Sequence, residues 1–215
     1  MKLKWLGHSC FLISSETGLR IITDPYPQGN GLSYAPINET ADIVIVSHDH
    51  FDHNNVAAVP GKYEIITGSG IKTVKGIQFK GIDTLHDESQ GRERGANTIF
   101  CFSVDGVKLC HLGDLGHRLN KEQIAQIGEV DILLTPIGGL YTIDAKMAST
   151  VSDDLKPKVV IPMHCKTPKC NWPLNTVEDF LAGKNNVKKL NSSEVEFKAD
   201  KLPESTEIMV LQPAL

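Results

Sequence analysis

The run Ser47-His-Asp-His-Phe-Asp-His53 decides the fold of this 215-residue chain. It directly follows the apolar, β-branched stretch 41–46, which is typical of a buried strand. A solvated polar loop is the simplest interpretation of such a run. Three histidines and two aspartates within six residues are nevertheless hard to explain by solvation alone. We therefore expect a metal site at the carboxyl end of a strand.

The spacing of these side chains suits two neighbouring metal ions. Residues two apart on an extended backbone point the same way, so His48 and His50 can converge on one ion. Asp52 and His53 lie beyond a bend and can serve a second ion. Imidazole and carboxylate together favour zinc, manganese or iron over calcium and magnesium, which prefer oxygen alone. We expect two divalent ions per chain, with zinc first and manganese or iron as alternatives.

Two ions need more ligands than these four, and three later segments supply candidates. His86 follows the alternating stretch 74–83, Asp114 follows the strand-like stretch 107–112, and His164 follows the apolar stretch 159–163. Strand ends from different parts of a chain can meet at one edge of a sandwich. The sequence therefore predicts that these side chains join the histidine-rich run.

The motifs and their order resemble the metallo-β-lactamase superfamily, and within it the small bacterial and archaeal metal-dependent hydrolases. A lactonase that acts on phosphorylated ascorbate is a more distant member. The likeness spans nearly the whole chain. The segments that carry it are Trp5-Leu-Gly-His-Ser-Cys-Phe11, Ile22-Thr-Asp-Pro25, Ser47-His-Asp-His-Phe-Asp-His53, Gly113-Asp114, Pro136-Ile-Gly-Gly139 and Ile161-Pro-Met-His164.

The resemblance implies a ligand set and a mechanism. A hydroxide held between two ions is the usual nucleophile in such sites. Asp52 can also move a proton after attack, so the predicted catalytic residues are Asp52 and Asp114. The implied ligands are His48, His50 and His86 for the first ion, Asp52, His53 and His164 for the second, and Asp114 as a bridge between them.

Four further residues are predicted to support the ligands. The resemblance places His8, in the turn after the first strand, near the site. Asp24 matches an aspartate that orients the metal-binding loop in the family, although an aspartate that caps a turn before proline predicts the same position. His111 and His117 bracket Asp114, and either can bond a ligating carboxylate or supply a proton. A purely structural role is the alternative for His111, which lies in a strand.

Two segments are candidates for contact with the substrate. Arg92 and Arg94 lie in the glycine-containing segment 87–97, and guanidinium groups suit phosphate or carboxylate. Ion pairs with neighbouring acidic residues are the alternative. Gly138-Gly139 lacks the lysine of a phosphate-binding loop, so we interpret it as a loop of close approach, where Tyr141 either faces substrate or packs.

Composition limits the classes of protein. The length fits one domain spanning 1–215, and the 40% hydrophobic and 22% charged fractions are ordinary for a globular protein. The net charge of −4 argues against nucleic acid as a partner. No stretch approaches the roughly 18 apolar residues of a membrane span, and the amino terminus lacks a signal-peptide core. We expect a cytoplasmic location, and nothing in the sequence specifies an oligomeric state.

The predicted fold is α/β, a four-layer αβ/βα sandwich in which each half is a mixed sheet covered outside by helices. Helices are expected after the capping residues Asn120, Asp144 and Thr176, with a short one after Asn54. Asp105-Gly106 predicts a two-residue hairpin.

The predicted function is hydrolysis of a phosphoester or lactone in a small, anionic molecule. Two alternatives from other classes stay open: an RNA or DNA nuclease of the same superfamily, and a metal-binding protein without turnover.

Overall fold

The strand that precedes the histidine-rich run is buried on both faces. Ile43 and Ile45 of this strand, β4 (Ile43–Val46), pack into the main core, whereas Val44 and Val46 pack into a second apolar cluster. It pairs in parallel with a strand on each side. A parallel strand covered on both faces is apolar throughout, which explains why this stretch does not alternate.

The computed structural model describes all 215 residues, in fourteen strands and three α-helices. The strands are β1 (Lys2–Gly7), β2 (Cys10–Ser14), β3 (Arg20–Thr23), β4 (Ile43–Val46), β5 (Glu64–Thr67), β6 (Gly70–Val74), β7 (Ile77–Leu85), β8 (Ala96–Val104), β9 (Val107–His111), β10 (Ile132–Pro136), β11 (Val159–Met163), β12 (Val187–Lys189), β13 (Glu194–Glu196) and β14 (Glu207–Val210). The helices are α1 (Lys121–Ile127), α2 (Ala145–Leu155) and α3 (Val177–Leu181).

The strands form two mixed sheets. One has six strands in the order β13-β1-β2-β3-β4-β5, and the other has eight in the order β12-β14-β11-β10-β9-β8-β7-β6. A core of 42 buried residues draws side chains from both sheets and from the helices. This arrangement confirms the predicted α/β sandwich. None of the helices is long and apolar enough to cross a membrane.

The three α-helices lie on the side of the eight-stranded sheet. α1 contacts β7, and α2 contacts β10 and α3, so all three helices accompany the eight-stranded sheet. The six-stranded sheet packs instead against side chains of the loop 25–41, where Tyr26 and Tyr34 are fully buried. The prolines of this loop disfavour helix, and its aromatic rings supply the apolar cover.

The predicted local signals explain where the helices and one hairpin begin. Asn120 and Gln123 form a reciprocal capping box at the start of α1. Asp144 accepts a hydrogen bond from the Met147 amide at the start of α2. Asp105 and Gly106 both have positive φ, as a type I′ hairpin turn requires. The expected helix after Asn54 is only a 3-10 turn, Val56–Ala58.

The ends of the strands bring the candidate residues to one edge of the sandwich. His8 follows β1, Asp24 follows β3, and the run 48–53 begins two residues after β4. His86 follows β7, and His164 follows β11. His8, Asp24 and His164 have positive φ although none is glycine. Such strained backbone persists where surrounding contacts fix it, and it often marks a functional site.

Candidate metal centre

The carboxylate of Asp114 lies at the middle of a cluster of imidazoles. Its Oδ2 atom is 3.1 Å from Nε2 of His53, and 3.2 Å from Nε2 of both His86 and His164. Nε2 of His48 is 4.0 Å away. The other oxygen, Oδ1, is buried without a hydrogen-bond partner. Four imidazoles, from three distant segments of the chain, thus surround the Asp114 carboxylate.

The donor atoms fall into three overlapping groups, and within each group they lie no more than 4.8 Å apart. All seven predicted ligands occur in these groups. His8 joins the second predicted ligand set, although sequence analysis expects it to support the ligands rather than bind an ion. The groups are His48, His50 and His86; His48, His53 and Asp114; and His8, Asp52, His53 and His164.

The donor set fits divalent transition metals. Nε2 of His48 lies 3.0 Å from Nδ1 of His50, so two ring nitrogens face the same space. Nε2 of His53 is buried and has no partner with hydrogen-bond geometry. Buried polar atoms are normally paired, and an ion bound by these donors would pair them. Nitrogen and carboxylate donors together match zinc, manganese or iron.

Asp24 connects the histidine-rich run to the strands behind it. Its Oδ1 accepts from the Ser47 amide at 2.7 Å, and its Oδ2 accepts from the Ser47 hydroxyl at 2.7 Å. Oδ2 also lies 3.0 Å from Nδ1 of His53 and 2.8 Å from Nε2 of His111. Burial alone would raise the pKa of Asp24, but His111 and His53 hold it well below its usual range. Asp24 therefore stays ionised and orients His53.

His111 thus contacts Asp24 and not the predicted bridging residue. It is fully buried, and its Nδ1 has no partner. His117 differs more from the sequence expectation. Its Nε2 accepts from the Leu85 amide at 3.1 Å, and its Nδ1 lies 2.8 Å from the Arg118 carbonyl oxygen. His117 therefore does not line the cleft. It holds the backbone next to His86.

His8 packs against the second donor group. Its Nε2 is 3.0 Å from Oδ2 of Asp52, and its ring centroid is 4.1 Å from that of His164. The indole of Trp5 donates to the His8 carbonyl oxygen at 3.0 Å, which fixes the strained turn. This position suits either support of Asp52 or direct binding of an ion.

Burial favours the neutral form of three imidazoles in the cluster, those of His8, His48 and His50. Burial and the nearby His53 lower the pKa of His48 to about 3, and burial and His164 lower that of His8 to about 4. Burial also lowers the pKa of His50. His53 is the exception. Burial would lower its pKa, but Asp114 and Asp52 raise it well above the usual value. Without metal, His53 therefore carries the proton of the cluster.

Glycines allow the loops to approach closely. A Cβ on Gly116 would lie 2.1 Å from the carbonyl carbon of His86, and a Cβ on Gly138 would lie 2.3 Å from the carbonyl oxygen of His164. Gly138 thus has the role expected of a loop of close approach. Sequence analysis missed Asn97, whose Oδ1 accepts from the Asp114 amide at 2.9 Å. Its only signal was its place at the end of the segment 87–97, directly before a stretch that is typical of a strand.

A cavity of about 360 Å³ opens over the donor atoms. Arg94 and Tyr141 line it, and the Arg94 guanidinium lies 4.3 Å from the centroid of the Tyr141 ring. Arg92 does not reach this cavity, because its exposed side chain turns back to donate to the Ser89 carbonyl oxygen at 2.9 Å. Phe51 and Trp172, for which no role was predicted, also line this cavity at its mouth.

The expected alternative for this segment, a loop of ion pairs, does not form. Neither Arg92 nor Arg94 lies within 4.0 Å of a carboxylate oxygen. The carboxylate of Asp87 accepts instead from four backbone amides, those of Ser89, Gly91, Glu93 and Arg94.

A histidine and aspartate cluster at the edge of a two-sheet α/β sandwich is typical of metal-dependent hydrolases. Residues 2–164 match the family model described as the β-lactamase superfamily domain. Because this match covers most of the chain, the protein belongs to that family.

Similar proteins support the same class. A UPF0173 metal-dependent hydrolase of Carboxydothermus hydrogenoformans is 35% identical over 201 residues, which cover 81% of this chain and 87% of that protein. A Thermotoga maritima structure, assigned to the Zn-dependent hydrolases of the metallo-β-lactamase superfamily, aligns with a TM-score of 0.81 and 39% identity, covering 98% and 97% of the two chains. The metallo hydrolase Igni18 of Ignicoccus hospitalis, at 24% identity, shares the fold with a TM-score of 0.66, covering 92% of this chain and 99% of that one.

Proposed function

We propose that this metal-dependent hydrolase uses two divalent ions to cleave an ester-type bond, a phosphoester or a lactone, in a small anionic molecule. The observation that carries the proposal is the position of Asp114. Its Oδ2 atom lies within 4.0 Å of imidazoles from both predicted ligand sets. A carboxylate in that position can bridge two ions, one held by His48, His50 and His86 and the other by Asp52, His53 and His164.

Two bound ions would supply a water nucleophile of lowered pKa and would polarise the oxygen of the bond under attack. The residues of the chain prepare the site for this chemistry. His48 and His50 present neutral imidazoles, because burial lowers the pKa of both. Asp24 holds His53 by its Nδ1, so that Nε2 faces Asp114. Fixed second contacts of this kind orient ligands and raise their affinity for metal.

Asp52 is the candidate for moving a proton during turnover. Its Oδ2 lies 3.0 Å from Nε2 of His8 and 3.3 Å from Nε2 of His53. Burial would raise the pKa of Asp52, but His53 and His8 hold it well below its usual range. Asp52 also lines the cavity that a substrate would enter. An ionised carboxylate at this position can accept a proton from the nucleophile and return it to a leaving group.

The size of the cavity supports a small substrate. A volume of about 360 Å³ is within the range of ordinary ligand pockets. A folded RNA would need a basic surface, whereas the chain has a net charge of −4. Among the residues that line the cavity, Arg94 is the only arginine or lysine, which supports recognition of an anion.

A substrate panel tests the proposal. Protein purified without chelators is assayed with bis(p-nitrophenyl) phosphate, simple lactones and structured RNA, with and without added zinc or manganese. We expect metal-dependent cleavage of a phosphoester or a lactone and its loss in Asp114→Asn. Cleavage of RNA alone would favour the nuclease. Absence of any turnover by protein that contains metal would favour the binding protein.

A further inference from the structure

The mouth of the metal centre contains an arginine that no protein group satisfies. The chain has four arginines. Arg20 pairs with Glu39, Arg118 pairs with Asp154, and Arg92 donates to a backbone carbonyl. The guanidinium of Arg94 has neither an ion pair nor a hydrogen bond. Its only described partner is the ring of Tyr141, 4.3 Å away.

Arg94 is also placed where a bound molecule would meet it. The side chain is half-buried, and it lines the cavity over Asp114 together with His50 and His86. It further lines the two cavities that adjoin this one, so it stands where the three meet. A half-buried guanidinium with free donors over a metal centre is suited to receive an oxyanion. The Tyr141 ring packs against this guanidinium and stabilises it in this position.

An aromatic wall forms another part of the mouth of this cavity. The ring of Trp172 stands edge-on to Phe51 at 6.2 Å and to Tyr141 at 6.0 Å. It also lies 5.4 Å from the ring of His8 and 6.4 Å from that of His164. Phe51 is 50% exposed although it belongs to the metal-binding run. Exposed apolar rings beside a polar cavity indicate contact with an apolar group.

The surrounding loops hold Trp172 in place. Its indole nitrogen donates to the Asn30 carbonyl oxygen at 2.7 Å. A Cβ on Gly31 would lie 2.4 Å from that nitrogen, so the backbone must approach the ring closely there. The Asn171 amide donates to the Gly31 carbonyl oxygen at 2.7 Å, and Leu32 bridges to Cys170. Since the ring is fixed before any ligand binds, little order is lost when one packs on it.

We propose that the mouth recognises a substrate in two parts: an oxyanion that pairs with Arg94, and a flat apolar group, such as an aromatic ring, that packs on Trp172 and Phe51. The scissile bond would then face Asp114, which lines the same cavity. The inference deepens the proposed function and rests on it for the reaction. Recognition itself is measurable without turnover.

Binding of inert phosphonates tests the proposal. Calorimetry compares phenylphosphonate with methylphosphonate on metal-loaded protein. We expect the wild type to prefer phenylphosphonate by about tenfold, as one aromatic contact contributes. Trp172→Leu should remove this preference and leave methylphosphonate unaffected. Trp172→Phe, which keeps a ring but not the bond to Asn30, should retain most of it. Arg94→Ala should weaken both ligands by about 10- to 100-fold, as loss of a charged hydrogen bond does.

Two matched controls remove comparable groups elsewhere. Arg118→Ala deletes an arginine that already pairs with Asp154, and Ile71→Ala deletes an apolar side chain that is 65% exposed on β6. Neither should change either affinity. The same variants are then measured with benzoate and acetate, which separates a carboxylate substrate from a phosphate substrate. The class of anion whose affinity falls more in Arg94→Ala is the one that Arg94 recognises.

Three results would overturn the proposal: no preference for phenylphosphonate in the wild type, an unchanged preference in Trp172→Leu, or wild-type affinity in Arg94→Ala. The proposed function fails in a different way. A protein that binds with the expected preference but cleaves no ester in the substrate panel would refute hydrolysis of an ester and leave the recognition intact.

Discussion

Oδ2 of Asp24 lies 3.0 Å from Nδ1 of His53, and this contact determines which nitrogen of His53 faces the metal centre. A carboxylate that accepts from one ring nitrogen leaves the other free to bind an ion. Nε2 of His53 accordingly points at Asp114, 3.1 Å away. Asp24 is fully buried and contacts no other predicted ligand directly. Its effect on metal must therefore pass through His53 or through Ser47, whose hydroxyl also lies 2.9 Å from Nδ1 of His48.

Asp24→Asn tests this positioning role. The amide keeps the shape of the side chain, but it is neutral and cannot accept every bond that the carboxylate accepts. We expect metal affinity to fall by about 10- to 100-fold, the usual effect of removing such a partner. Competition with a chromophoric chelator measures the affinity. Asp49→Asn is the matched control, since Asp49 is exposed in the same run and belongs to no donor group. Equal metal affinities of Asp24→Asn and Asp49→Asn would refute the positioning role of Asp24.

Gly116→Ala is predicted to disturb only one part of the centre. The added Cβ would lie 2.1 Å from the carbonyl carbon of His86, so the backbone that carries this ligand must shift. We expect weaker binding at the position that His48, His50 and His86 form, with the other position less affected. Metal titration followed by elemental analysis should show one tight and one weakened ion.

The control for Gly116→Ala is Gly183→Ala. Gly183 has positive φ and open space around it, so alanine there adds backbone strain without a clash. That variant should lose some stability and bind metal as the wild type does. If Gly116→Ala also binds both ions with wild-type affinity, the close approach of Gly116 to His86 is not needed for metal binding.

Local chemistry explains why much of this architecture could be predicted. The apolar stretch before His48 had to be a buried strand, and Asn120 and Asp144 had to cap helices, because each signal acts over a few residues. The candidate ligands could be expected at one edge because each lies shortly after a strand. Their division between two ions comes from the family resemblance and stays a prediction.

What could not be predicted depends on contacts between distant residues. Trp172 carries no local signal, since its place at the mouth follows from the pairing of the loop 29–33 with the loop 169–172. Arg92 and Arg94 are indistinguishable in sequence, and only the folded loop turns one outward and the other over Tyr141. The packing of the loop 25–41 against the six-stranded sheet has the same origin, because Tyr26 and Tyr34 find their partners only in the folded chain.

The metal-free protein should lose stability as pH falls from 6.5. His8 and His48 have folded pKa values lowered to about 4 and about 3, so the unfolded chain binds protons there first. Their contribution is present above pH 6.5 and lost on acidification, on the order of 4 kcal/mol for both by roughly pH 5. The raised pKa of His53 has the opposite dependence. Its contribution to stability is present below pH 6.5 and is lost only as the pH rises, so it does not lower stability on acidification.

Urea unfolding of metal-free protein between pH 7 and 5 measures this slope. His8→Gln should remove about half of the slope that His8 and His48 contribute. His50, whose pKa is also lowered, adds to the slope in both proteins. A midpoint that stays constant or rises on acidification would show that the two histidines are not held neutral in the fold.

Metal binding near neutral pH should release a proton from His53. Its pKa lies well above the ordinary value because Asp114 and Asp52 outweigh the effect of burial. A ligating imidazole must be neutral, so the proton leaves when the ion enters. Calorimetry in buffers of different ionisation enthalpy should detect release of about one proton per chain. Identical heats in all buffers would contradict the assigned charge of the cluster.

Metal content tests the central claim most directly. Protein purified without chelators, and loaded with zinc or manganese before desalting, is analysed for metal per chain. We predict a ratio near two for the wild type and a clear loss in Asp114→Asn, because Asp114 is the shared neighbour of both ligand sets. A wild-type ratio of one or less after loading, or a ratio that Asp114→Asn leaves unchanged, would contradict a paired metal centre.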